Sequence, residues 1–365
     1  MTHIQTSCFL IPTAAYTSPR GPFIPVRLSK ALHGASYFLK ARVLTTLGAI
    51  VFMTFGGAVQ AQVSGAGSSL VRDLMSGWAM QYGSASGGVV YEAQGSSAGV
   101  LRAAEQTVDF GVSDVPLTAA ALRQAGLRQL PLAGAAVAVI VNLPELGGKT
   151  VKLSGDVLAE IYQGSITQWN HSLIAGSNPG LALPNRTIVP IWRADGSGQS
   201  HVFSTYLSRG NSKWRRLIGP TNNLALTAGR SARGGQAMLE AVKATPGAIG
   251  YESLGAAQKA SLSVAELLNG SGKFIAPNAV SVAAALENAQ WLKDSNAADL
   301  DGSAGLATYP MTAVPYALIP VVPKKGRVNA LPFIQAAVAQ GDSQIKQGGF
   351  FPLPAVAKEL TSAAR

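Results

Sequence analysis

TIVPIWRADGSGQSHVFSTYL, residues 187–207, passes from an extended apolar stretch through a glycine- and serine-rich turn into a segment with helical apolar spacing. That succession has a chemical consequence. The first backbone N–H groups of a helix lack internal partners and carry the positive end of its dipole, so a helix that opens on a Ser/Gly turn offers a seat for an anion. Here Arg193 adds a planar fork of donors beside the opening, and Gly196 and Gly198 let the backbone approach a ligand closely.

Working outward, the same device occurs twice more. SGAGSSL, residues 64–70, leads into a segment where Val71, Leu74, Trp78 and Tyr82 keep helical spacing, and GGVVYEAQGSSAGVLRAAEQ, residues 87–106, reads as strand, turn and helix. TVDFGVSD, residues 107–114, predicts a short strand ending at Asp114, and PLTAAALRQAGL, residues 116–127, a helix with Pro116 in its first turn. The continuous apolar run LAGAAVAVIVNL, residues 132–143, predicts a buried strand. Helices are predicted for SGDVLAEIYQG, GGQAMLEAVKATPG and LPFIQAAVAQG, and extended chain for AIGYES and YPMTAVPYALIPVV. Strands alternating with helices place the chain in the α/β class, with mainly parallel sheets and crossover helices.

The length of 365 residues suits two lobes, each with its own core. A composition 47% apolar and 13% charged excludes a disordered chain. The formal charge of +11 is unevenly placed: residues 1–61 hold five basic residues and no acidic one, which leaves 24 basic against 18 acidic, or +6, for the remainder. Without a Lys/Arg run interleaved with aromatics, that surplus gives no reason to expect nucleic acid as a partner. Lys40 and Arg42 precede the uncharged run 43–59, and Val59 and Ala61 stand at the −3 and −1 positions of a cut after Ala61. This pattern predicts a secretory leader, preceded by an extension of 39 residues; the alternative is a membrane anchor, since the run is near the lower limit for a span. The one cysteine, Cys8, precedes the run, so a chain starting at Gln62 has no disulfide, thiolate metal site or cysteine nucleophile.

GSSAG, residues 95–99, matches the nucleophile elbow of serine hydrolases, with Ser97 as nucleophile. A triad needs a histidine, and only His171 and His201 follow the leader, neither in a recognisable context. GGKT, residues 147–150, resembles the end of a P-loop but has Leu143 where the first glycine is required. No metal-binding spacing occurs, and the five tryptophans read as packing.

Taken in order, SGAGSSL, QGSSAGV, TVDFGVSD, IYQGSITQWN, RADGSG and PGAIGY resemble the consecutive signature segments of the periplasmic phosphate-binding proteins of ABC importers. The resemblance implies a two-lobed type II periplasmic binding protein fold with a hinge and an inter-lobe cleft. The first lobe would combine residues 62–132 with 259–365, and the second would span 133–258. It further implies reversible binding of inorganic phosphate, delivery to a membrane permease, a periplasmic monomer, and neither cofactor nor metal. Carried over residue by residue, the ligand would meet Ser69, the backbone of Leu70, Ser96, Asp114, Arg193, Ser197, Gly198 and Gln199, with Asp195 orienting Arg193. Two positions depart from the family: Leu70 replaces a usual phenylalanine, and Gln199 a usual threonine whose hydroxyl contacts the anion. The chemistry is consistent, because a protonated phosphate offers oxygens to N–H groups, hydroxyls and Arg193, and a proton to Asp114. The alternatives are a secreted scavenger, a binder of another oxyanion, and a phosphoesterase using Ser97.

Overall fold

The second and third Ser/Gly turns fold between strand and helix as the sequence predicts, whereas SGAGSSL, read as a turn opening a helix, is strand over residues 64–67 before the helix begins. In the computed structural model, which describes residues 62–82, 87–300 and 305–364, β1 (Val63–Gly67) leads to α1 (Arg72–Tyr82), β2 (Val89–Ala93) to α2 (Ser96–Glu105), and β3 (Phe110–Ser113) ends just before Asp114. Next come β4 (Leu127–Pro131) and β5 (Ala135–Val141). The third unit is β6 (Val189–Arg193) with α3 (Gly198–Gly210), followed by β7 (Arg230–Ala232), α4 (Gly234–Ala244), β8 (Ala248–Ser253), β9 (Ser263–Val264), β10 (Thr312–Ala313) and β11 (Tyr316–Pro320). The leader and its cut after Ala61 lie outside the described residues, and no described helix is long and apolar enough to cross a membrane.

Two sheets result. The first has the order β2-β1-β3-β11-β4, and the second β9-β5-β8-β6-β7, with β10 also paired to β5. Both are mixed, which corrects the expectation of mainly parallel sheets. β1 runs parallel to β2 and β3, and β6 parallel to β7 and β8, but β11 is antiparallel to β3 and β4, and β5 is antiparallel to β8, β9 and β10. The reversed strands are those by which the chain leaves the first sheet, β5, and returns to it, β11. Alternation of element types fixes direction within a βαβ run but not where the chain changes sheets.

Small residues set the depth at which the helices lie. A Cβ on Gly99 of α2 would come 2.4 Å from the Val112 carbonyl oxygen, and one on Gly111 of β3 would come 2.2 Å from that of Gly99. The helix therefore rests on the strand backbone, bringing Ser96 at its opening beside Asp114. β5 is buried at every position, with strands on both its edges and α3 and the helix Leu254–Lys259 packed against it. Trp78, Trp169 and Trp214 are fully buried, and Trp192 and Trp291 pack partly buried against the same core. The helix predicted with Pro116 in its first turn begins instead at Ala119. Thr118 caps it by accepting from the Ala121 N–H, while the Leu117 N–H is taken by Gln129, so Pro116 lies before the cap.

Candidate anion-binding site

The ends of β1, β2, β3 and β6 bring the Ser/Gly turns together. Gly95, at φ 98°, turns the chain into α2 without a side-chain cap, leaving the Ser96 hydroxyl free to reach Asp114. That hydroxyl donates to Asp114 Oδ2 at 3.2 Å and accepts from the Asp114 N–H at 3.1 Å. The opening of α3 closes over this pair. A Cβ on Gly198 would stand 2.5 Å from Ser96 Oγ and 2.6 Å from Asp114, and one on Gly196 would stand 2.4 Å from Ser97 Oγ. Glycine is required at both places because no side chain fits between the two turns. Ser197 caps α3 by accepting from the Ser200 N–H.

Arg193 is completely buried at the end of β6. Its Nε and Nη2 donate to the two oxygens of Asp195 at 2.7 and 2.5 Å, and its Nη1 donates to Gln199 Oε1 at 2.6 Å. Three of its five N–H groups are thus used, leaving two for a further acceptor. Burial opposes its charge, but Asp195 and Glu252 outweigh that and hold its pKa above the usual value. Asp195 also accepts from the Gly234 N–H at the start of α4; burial is again overcome, here by Arg193, so the carboxyl titrates below its usual range.

Asp114 has the opposite fate. Only 5% exposed, it is pushed up to about 6 by burial, against the opposing pull of the Ser68 and Ser96 hydroxyls. Its Oδ1 is buried without a hydrogen-bond partner. Such an oxygen costs free energy unless something outside the chain pairs with it, and a group that donates a proton would satisfy it.

Asp114, Ser96, Arg193, Asp195, Ser197, Gly198 and Gln199 are brought together. Ser69 and Leu70 lie to one side: Leu70 is buried, its N–H donates to Ser68 Oγ at 3.1 Å, and both residues line a neighbouring cavity of about 340 Å³. The hydroxyl of the first turn that faces Asp114 is that of Ser68. The Gln199 amide is held inside the protein, accepting from Arg193 through Oε1 and donating to Glu252 through Nε2. A guanidinium only donates and a carboxylate only accepts, so both partners require this orientation. Sequence reasoning missed Glu252, Ser68 and Tyr251, whose hydroxyl accepts from the Arg193 N–H at 3.0 Å. The available signal for Glu252 was a carboxylate inside the short strand AIGYES.

Ser97 does not carry a triad. Its Oγ accepts from the Asn222 amide at 3.4 Å and its N–H donates to Gly196 O, while His171 caps the helix Ser172–Ser177.

A model of the PBP superfamily domain matches residues 54–332. A phosphate-binding protein PstS of Xylella fastidiosa is 35% identical over 300 residues, 80% of this chain and 82% of its own. That of Pasteurella multocida is 33% identical over 311 residues, 84% of this chain and 90% of its own. The chain belongs to the PstS phosphate-binding protein family. Its two-lobed α/β fold agrees: the crystal structure of a phosphate-binding protein from Stenotrophomonas maltophilia superposes with a TM-score of 0.63 at 21% identity, covering 83% of this chain and 92% of that one. Both curated family members are named as binding proteins, so the nucleophile reading of GSSAG has no support from them.

Proposed function

We propose that this protein binds inorganic phosphate reversibly between its lobes, in the periplasm, and presents it to the membrane permease of an ABC importer. The observation that carries the reading is the unpaired Asp114 Oδ1 beside a fully buried arginine with two N–H groups to spare. The first lobe consists of residues 62–132 with the C-terminal part from 259, and the second of 133–258. Pairing of Ser263 and Val264 with Val141 and Ile140, and of Thr312 and Ala313 with Ala136 and Ala135, carries the second sheet past residue 258. Ser96, Asp114, Arg193, Ser197, Gly198 and Gln199 surround the anion, the last two through their backbone N–H groups, with Ser69 and Leu70 closing the side toward the neighbouring cavity. Ligand contacts to both lobes favour the closed arrangement, and removal of the anion releases it.

Membership of a family of phosphate-binding proteins supports phosphate over other oxyanions. Calorimetric titration of the protein, freed of endogenous anion, with phosphate and separately with sulfate tests this. Saturable binding of one phosphate per chain, at least about a hundredfold tighter than sulfate (roughly 2.7 kcal/mol), is expected. Equal affinity for the two anions, or none for phosphate, overturns the reading.

A further inference from the structure

Glu252 is a buried carboxylate, 2% exposed, that the phosphate reading does not use. It lies in β8, and its Oε1 accepts from the Gln199 amide and from the Ser253 N–H at 2.8 Å. Its Oε2 is buried without a hydrogen-bond partner and stands 3.9 Å from Arg193 Nη1. Glu252 also lines the cavity of about 340 Å³ that Ser69 and Leu70 border. It and Asp114 are the two carboxylates with an orphaned buried oxygen among the described residues, and both face one arginine.

The charge balance of this cluster is unusual for an anion site. Asp114, Asp195 and Glu252 gather around Arg193 alone, so the fully ionised site carries two negative charges in excess before any ligand arrives. Adding a dianion raises the excess to four. Of the remaining charged groups nearby, Arg72 on α1 is half-buried and pulls the Glu252 carboxyl down, while Asp73, Glu240, Lys243 and Lys259 at the cavity rim are exposed and of mixed sign. Solvent screens the exposed rim charges, so of these groups only Arg72 offsets part of the buried excess.

From this cluster we infer that Glu252 is a second specificity-determining carboxylate, which makes anion binding proton-coupled: the complex holds one proton between Asp114 and the ligand and another between Glu252 and the ligand. The inference rests on the phosphate reading and deepens it, since the bound species is then the singly charged dihydrogen form. Gln199 belongs to the same arrangement. Where a threonine hydroxyl would contact the anion, the amide ties Glu252 to Arg193 and holds its free oxygen at the arginine. Burial pushes the carboxyl of Glu252 up, against the opposing pull of Arg193, which suits it to share a proton.

The proton balance is measurable. At a pH above the second ionisation of phosphate at which both carboxylates of the ligand-free protein are ionised, the free anion carries one proton and the complex two, so one proton comes from solvent. Calorimetric titration with phosphate in buffers of different ionisation enthalpy is expected to show uptake of about one proton per phosphate and an affinity falling about tenfold per pH unit. In Glu252→Gln the uptake is expected to drop to near zero and the pH slope to flatten, whereas Glu252→Asp keeps both in part. A parent that binds phosphate with no proton uptake overturns the inference and leaves the phosphate reading standing, whether or not the glutamine variant folds. A parent that binds no phosphate at any pH from about 5.5 to about 8.5 overturns the phosphate reading itself.

Discussion

At the scale of single residues the site depends on which buried groups are already paired. Arg193 keeps two N–H groups free while Asp195 and Gln199 hold its plane, so its loss removes charge-assisted hydrogen bonds from a dry environment. Arg193→Ala is expected to weaken phosphate binding at least tenfold, at about 1.5 to 3 kcal/mol for such bonds, and Arg193→Lys to restore it only in part because an ammonium lacks the fork; calorimetry measures both. Asp114 makes the opposite case, since its folded-state pKa of about 6 lies above the roughly 3.9 of an unfolded aspartate. The raised value means that its stabilising contribution is complete below about pH 4 and lost as pH rises through about 6, so near neutrality the ligand-free protein carries an ionised carboxylate at a cost of roughly 3 kcal/mol or less. Asp114→Asn is therefore expected to gain stability toward urea at about pH 7 and to lose that gain near about pH 4. In the same variant the preference for phosphate over sulfate should narrow, because an amide can donate to the fully ionised anion that the carboxylate repels. A variant whose phosphate-to-sulfate ratio matches the parent removes Asp114 from the site. Neighbouring serines mark where sequence reading stops at this scale: SS at 68–69 announces a hydroxyl at the first turn, but only the backbone path sends Ser68 toward Asp114 and Ser69 toward the cavity.

Among the elements, the opening of α3 determines how closely the third turn meets the other two. Its Gly198 has no room for a methyl group against Ser96 and Asp114. Gly198→Ala is expected to hold the turn away from them and lower phosphate affinity at least about tenfold, while far-UV circular dichroism and ligand-free melting change little, because alanine favours helix and an open arrangement relieves the overlap. Binding at parental strength in this variant would mean that the turns need not approach so closely. These units were legible because each strand–turn–helix signal is local: Ser and Gly mark the turn, and apolar spacing marks the helix behind it. Strand direction was not legible for β5 and β11, whose neighbours come from distant parts of the chain. Glu252 escaped for a related reason. AIGYES reads as an apolar strand, and what ties its carboxylate to Arg193 is the amide of Gln199, 53 residues earlier.

Over the whole molecule, binding and stability are linked because the site draws on both sheets. Ser96 and Asp114 belong to the first, Arg193 and Glu252 to the second, and a ligand touching all four rewards only the arrangement in which they meet. Hydrogen bonds also join the two sides directly, from the Ser97 N–H to Gly196 O and from the Asn222 amide to Ser97 Oγ. The ion pair of Lys259 with Asp73 on α1 is about half exposed at both ends, and pairs of that kind contribute roughly 0 to 1 kcal/mol. Lys259→Ala should accordingly change phosphate affinity by less than about fivefold, the equivalent of 1 kcal/mol. Mass action gives the size of the contribution the anion would make. A ligand that binds only the folded chain adds about 2.7 kcal/mol of stability at a hundred times its dissociation constant, which for a domain of this size raises the melting temperature by roughly 5 °C. Phosphate at that excess is expected to produce such a shift. Sulfate at the same concentration is expected to produce almost none, and in Gly198→Ala the phosphate shift should shrink in step with the lost affinity. Equal shifts from phosphate and sulfate would trace the stabilisation to general ionic effects, whereas a shift that follows affinity through the variant series ties it to the anion joining the two sides.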